Sequence, residues 1–146
     1  MKGNDKIIFN LLIGVSFIIG YFIYDVSYIS YSDIITFLSI MIGFKIASLS
    51  ILFNSPLRKT LYDRKIKYYQ TELHRLKDFY KHSLFFEAFS IFMLFIMPDK
   101  LYCLCIVNFD FEIGRYLLIL PILIGTLYCF YKVCSDLFKI FVYPTN

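Results

Sequence analysis

Four long apolar runs constrain this chain more than any other feature. They occupy about 7–24 (IIFNLLIGVSFIIGYFIY), 34–53 (IITFLSIMIGFKIASLSILF), 83–97 (SLFFEAFSIFMLFIM) and 116–134 (YLLILPILIGTLYCFYKVC). A helix needs about 20 apolar residues to cross a hydrocarbon core of about 30 Å. The first, second and fourth runs meet that length. The third does so if its helix starts earlier, near Phe79, or tilts little. In lipid only helices and closed barrels satisfy the backbone, and these continuous runs lack the alternation of barrel strands. The composition agrees: 59% of the 146 residues are hydrophobic, against about 45–50% in a soluble domain. The predicted fold class is an all-α membrane protein. Four transmembrane helices form one polytopic domain over 1–146, with an amphipathic basic cytoplasmic helix between spans two and three.

Lys2 and Lys6 before the first run resemble the start of a signal peptide. No small-residue cleavage site follows, and the apolar run continues to Tyr21 and Tyr24, so the segment reads as a retained span.

Orientation follows from the basic residues. Arg58, Lys59, Arg64, Lys65, Lys67, Arg75, Lys77 and Lys81 lie between spans two and three. Lys2, Lys6, Lys132 and Lys139 lie at the ends that share that side, whereas Lys100 and Arg115 alone lie on the other. This asymmetry predicts a multi-pass protein of the bacterial inner membrane with both termini cytoplasmic. The loops 25–33 and 98–115 then face outward. Tyr21, Tyr24, Tyr28 and Tyr31 cluster near the outer boundary, where an amphipathic ring suits the interface. Loop 98–115 is apolar for its place and is expected to dip into the interface or form a small ordered cap.

Residues 56–82 (PLRKTLYDRKIKYYQTELHRLKDFYKH) contain no glycine, and no proline after Pro56. Ser55 and Pro56 suit a helix start. Tyr62, Ile66, Tyr69, Leu73, Leu76 and Tyr80 recur at alternating steps of four and three, the spacing of a coiled-coil seam. Such a seam can pack on a second copy, on a soluble partner or on the inner membrane surface, or belong to a solvated connector. A continuous helix of about 26 residues would run about 39 Å and separate spans two and three. That separation favours an oligomer whose neighbours fill the gap. The basic charge is dilute and positive-inside bias accounts for it, so direct nucleic-acid binding is not expected.

Span two carries two patterns. Thr36, Ser39, Gly43, Ala47, Ser50 and Asn54 form a stripe of small residues, the kind that lets membrane helices approach closely. Lys45 lies two positions from Gly43, about 200° around the helix, and so faces nearly the opposite way. Span two is therefore expected to be the central helix of an assembly. A charge near the membrane centre costs about 2.5–3.5 kcal/mol and usually faces protein or water. Glu87 is the other ionisable residue within a span, at a depth differing by about 6 Å at 1.5 Å per residue. The preferred expectation is a Lys45–Glu87 pair. The alternatives are that Lys45 snorkels to the inner head groups, or that several copies of it line a polar path.

No phosphate-binding loop, metalloprotease helix, nucleophile elbow or dinucleotide fingerprint occurs. Cys103, Cys105, Cys129 and Cys134 include no C-x-x-C pair and have no histidine near them in sequence, so they read as apolar filler rather than metal ligands. No catalytic residue, cofactor or metal is expected.

Span two with the basic stretch after it, LSIMIGFKIASLSILFNSPLRKTL, resembles small four-span inner-membrane proteins of prokaryotic anti-phage systems. Those include KwaA of the Kiwa system and, more loosely, the phage exclusion protein RexB. The likeness covers most of the chain in span number, orientation and the basic inner loop. It implies a homo-oligomer that senses membrane disturbance by phage and passes it to a soluble cytoplasmic partner, or a pore that depolarises the cell. An accessory transport or scaffold subunit outside defence is the remaining alternative.

Overall fold

The computed structural model describes residues 4–22, 30–65, 69–98, 101–106 and 109–142; for Asn4, Leu57, the two strands and 139–142 it describes the backbone. Helices α1 (Asn4–Phe22) and α2 (Tyr31–Asn54) are followed by a short α3 (Leu57–Asp63) and a long α4 (Glu72–Ile96). Strands β1 (Leu101–Ile106) and β2 (Phe109–Ile113) precede α5 (Tyr116–Val142). Four helices are long and apolar enough to cross a membrane, over Asp5–Phe22, Tyr31–Asn54, Glu72–Ile96 and Tyr116–Phe138. Large apolar side chains face outward, among them Ile7, Leu11, Ile18, Ile40, Phe85 and Phe92, whereas Lys45 and Glu87 are buried. This distribution inverts that of a soluble domain and suits a hydrocarbon solvent.

The continuous helix expected over 56–82 is not what forms. Helix α3 ends at Asp63, and Arg64 is extended (φ −80°, ψ 114°). The extended Thr71 caps α4, its hydroxyl accepting the His74 N–H at 3.3 Å. The Glu72 N–H donates to the Arg64 carbonyl at 2.9 Å and closes the connection. A rigid rod would have held α2 and α4 apart, while the break lets them pack side by side. Helix α4 accordingly begins at Glu72, eleven residues before the expected 83. Ser55 ends α2 rather than capping the next helix, its hydroxyl donating to the Leu52 carbonyl at 2.9 Å.

The same stepping recurs in three helices. Along α2 the inward positions are Ile34, Leu38, Met41, Lys45, Ser48 and Leu52; along α4 they are Leu76, Tyr80, Ser83, Glu87, Ser90 and Leu94; along α5 they are Ile122, Thr126, Cys129, Val133 and Asp136. Alternating steps of three and four keep one face of each helix toward its neighbours. The seams of α2 and α4 meet antiparallel: Leu38 and Leu94 share an apolar cluster with Ile34 and Ile122 at the hairpin end. Leu52, Leu61, Leu76, Phe79, Tyr80, Cys129 and Val133 form a second cluster at the basic end. Polar residues occupy the layer between.

Helix α1 packs on the flank of α5, antiparallel to it. The Phe9 ring stands edge-on to Phe86 at 5.2 Å and tilted to Tyr128 at 6.0 Å. Asp5 pairs with Lys132 at 2.9 Å. Gly125 permits the approach of three helices, since a Cβ there would lie 2.6 Å from Phe86 Cζ and 2.9 Å from Ile13 Cδ1.

The apolar loop 98–115 contributes one antiparallel hairpin to this helical fold. Leu101 faces Ile113, Tyr102 faces Glu112 and Cys103 faces Phe111, with an irregularity before the Ile106–Phe109 pair. Arg115 closes its base: Nε donates to the Met97 carbonyl at 2.7 Å and the guanidinium lies 4.8 Å from the centre of the Tyr31 ring.

Candidate functional site: a buried polar layer

Lys45 sits on the inward seam of α2 and Glu87 on that of α4. Lys45 Nζ donates to Glu87 Oε1 and to Ser83 Oγ, and neither charged side chain is exposed. A lone charge at this depth would carry the full insertion penalty; pairing within the chain offsets it. The second carboxylate oxygen, Glu87 Oε2, is buried without a hydrogen-bond partner.

Around the pair stand further polar groups. The Ser48 hydroxyl donates to the Phe44 carbonyl at 2.7 Å, and Ser90 to Phe86 at 2.8 Å. Each serine thereby satisfies its own donor inside its helix and leaves lone pairs toward the interior. Cys129 lies beside Ser83, within electrostatic reach of Lys45 and Glu87. Thr126 Oγ1 is buried and unpartnered.

About two helical turns from Glu87 toward the basic end, the Tyr80 ring is part of the apolar cluster, and its hydroxyl is buried. Ser48 and Asp136 stand near that hydroxyl. Arg75 Nη2 is 3.1 Å from Asp136 Oδ1. That contact is an ion pair without hydrogen-bond alignment, since Oδ1 makes no directed bond. Arg75 also approaches Glu72 at 3.7 Å, and Glu72 approaches Arg64 at 3.8 Å.

The coiled-coil seam read over 62–80 divides. Leu76 and Tyr80 are buried within the chain, and Leu73 packs partly against the same cluster. Tyr69 is half-buried and donates to Asp78 Oδ2 at 3.1 Å. Tyr62 on α3 is 58% exposed, and Ile66 lies outside the described residues. The break after Asp63 separates Tyr62 from the rest, and α4 turns its half of the seam inward. These residues therefore do not form one free docking face. The periodicity itself continues through Ser83, Glu87, Ser90 and Leu94, and following it past residue 82 would have identified the inward face.

The small-residue stripe of α2 is open in the single chain: Thr36, Ser39, Gly43, Ala47, Ser50 and Asn54 are all exposed. Nothing lies within 4 Å of a Cβ placed on Gly43. Thr36 and Ser39 donate to the carbonyls of Ser32 and Ile35, at 2.9 and 2.8 Å. Ser48, Thr126 and Asp136 escaped the sequence reading because a serine or threonine in an apolar run carries no charge to mark it, and Asp136 lies beyond the expected end of span four; Tyr80 was read as a seam residue, without a partner inside the chain.

Comparison with known proteins finds no matching family model, no similar curated protein and no similar solved structure. Fold and site define a bundle of four membrane-length helices whose interior holds a charge pair.

Proposed function

We propose that the chain is an oligomeric inner-membrane component of an anti-phage defence system, acting as a sensor and scaffold rather than a pore. It crosses the membrane four times with both termini and the basic end cytoplasmic, as the distribution of lysine and arginine supports. One observation carries the choice of scaffold over pore: Lys45 is satisfied by Glu87 and Ser83 within its own chain. A pore built on Lys45 needs that ammonium on a wet axis between subunits. The open stripe of α2 supports self-association instead. Its Thr36 and Ser39 hydroxyls bond their own helix, so the stripe can pack dry against a second copy. Arg58, Lys59, Tyr62 and Arg64 are exposed on and after α3, where a soluble cytoplasmic partner or anionic lipid head groups can meet them.

Purification in detergent with mass measurement tests the assembly, and phage challenge of expressing cells tests the role. An oligomer that Gly43→Leu reduces to monomers, together with lost protection, is expected. A monomeric wild type that protects no cell overturns the reading. The channel-type effector is the second reading, and it predicts collapse of membrane potential on expression that Lys45→Met abolishes.

A further inference from the structure

Helix α4 carries a second ordered face, opposite its inward seam. Lys77, Lys81, Phe85 and Phe89 follow one another at steps of four and are all exposed, so each lies one turn from the last on the helix surface. Phe92 and Ile96 continue the face toward the hairpin end and are exposed as well. The Phe85 and Phe89 rings, 70% and 45% exposed, stack within 13° of parallel with centroids 6.1 Å apart. They form a flat apolar wall that begins one turn beyond two cations.

Among the described residues neither Lys77 nor Lys81 has an ion pair. The carboxylates near them are engaged elsewhere: Asp78 accepts from the Tyr69 hydroxyl at 3.1 Å, and Glu72 and Asp136 approach arginines. Helix length sets the depth of the two lysines. About 20 residues cover a hydrocarbon core, and counting them back from Ile96 at the end of α4 reaches Lys77. Lys81 starts one turn deeper. Its Cα–Cβ bond tilts toward the helix N-terminus, here the basic end, and its stem carries the ammonium out to the same level.

We propose that this face of α4 is a docking surface for an anionic phospholipid of the basic-end leaflet. Lys77 and Lys81 hold the phosphate of the head group, and Phe85 and Phe89 line the first stretch of an acyl chain. Charge complementarity selects this occupant. A zwitterionic lipid brings its own cation to the same place and gains less. A soluble acidic partner can neutralise the lysines but leaves the phenyl wall, which lies at hydrocarbon depth, uncovered. A second copy meeting this face with its own would set the lysines of both chains at one level, like charge against like. The small-residue stripe of α2 remains the face for self-association. The inference rests on the proposed membrane insertion and not on the defence role.

The test is photo-crosslinking of the full chain in vesicles of equal parts phosphatidylglycerol and phosphatidylcholine, with benzoylphenylalanine in place of Phe85 and the lipid adducts identified by mass. A reference chain carries the same group in place of Leu11, an exposed α1 residue whose neighbours one turn toward the basic end are Ile7 and Ile8. At Phe85, phosphatidylglycerol adducts are expected to exceed phosphatidylcholine adducts at least about threefold; at Leu11 the two should be near equal. Lys77→Gln with Lys81→Gln should bring the Phe85 ratio down to that of the reference. Should this double variant fail to insert, the contrast between Phe85 and Leu11 still decides. The proposal is overturned by equal ratios at the two positions, by a preference that survives loss of both lysines, or by Phe85 adducts to protein instead of lipid in expressing cells. Flotation with the vesicles separates the two readings. A chain that stays out of the lipid overturns the insertion and this inference with it, whereas one that inserts without the preference overturns this inference alone.

Discussion

Lys45 and Glu87 bond across the seam between α2 and α4, each with no exposed side-chain surface. The two residues are 42 positions apart in sequence, so their bond fixes the register of one helix against the other. Leucines alone would tolerate a slip along the seam; a buried ion pair does not.

Breaking that pair on one side leaves an uncompensated charge in an apolar interior. Lys45→Met alone is expected to destabilise the bundle by about 3–5 kcal/mol. Adding Glu87→Met should recover most of the loss, because two apolar side chains of similar volume need no partner. Denaturant unfolding of the three proteins in mixed micelles gives the comparison, and equal stability of the single and double variants would contradict it.

Gly125 and Gly43 should respond in opposite ways. A methyl group on Gly125 meets Phe86 and Ile13 at under 3.0 Å, so Gly125→Ala is expected to cost about 1–3 kcal/mol of monomer stability through overpacking. Gly43→Ala has open space around it in the single chain and should leave monomer unfolding unchanged. Thermal melts of the two variants in detergent distinguish them.

The two ion pairs at the basic end differ in worth. Arg75 faces Asp136, whose side chain is 5% exposed, whereas Lys132 and Asp5 are 24% and 27% exposed. Arg75→Ala strands a buried carboxylate and is expected to cost about 1–3 kcal/mol. Lys132→Ala should cost less than about 1 kcal/mol and lose that effect in high salt. Unfolding midpoints at low and high ionic strength check both.

Thr71 is the start signal of α4. Thr71→Ala removes the acceptor for the His74 N–H and should destabilise the first turn by about 1 kcal/mol. Hydrogen exchange should quicken at His74 and Arg75 while the span beyond Ser83 keeps its protection. Uniform quickening along α4 would show that the cap matters to the whole helix instead.

Charge and depth along the sequence pointed Lys45 toward Glu87, the residue it bonds in the structure. The existence of four membrane-length helices was equally legible, because hydropathy over about 20 residues reports directly on what lipid will accept. The boundary of α4 was not. The run was expected from 83, or from near Phe79, whereas α4 starts at Glu72 and carries the polar Asp78, Lys81 and His82 in its first turns, with Asp78 bonded to Tyr69. The hairpin over 101–113 was anticipated only as a stretch that dips into the interface or forms a small ordered cap, since short apolar runs are ambiguous between strand and helix.

By itself the sequence determined that this protein has four apolar helices, a basic side and two charges within the spans, since each follows from the local cost of placing a residue in lipid. Only the tertiary structure decided that Leu76 and Tyr80 of the 62–80 periodicity turn inward, that α3 and α4 are separate helices, and that Arg75 meets Asp136. Those outcomes depend on which faces meet. A repeat of three and four residues says that a helix has a packing face but not which neighbour covers it, and the break after Asp63 settled that by bringing α4 back against α2.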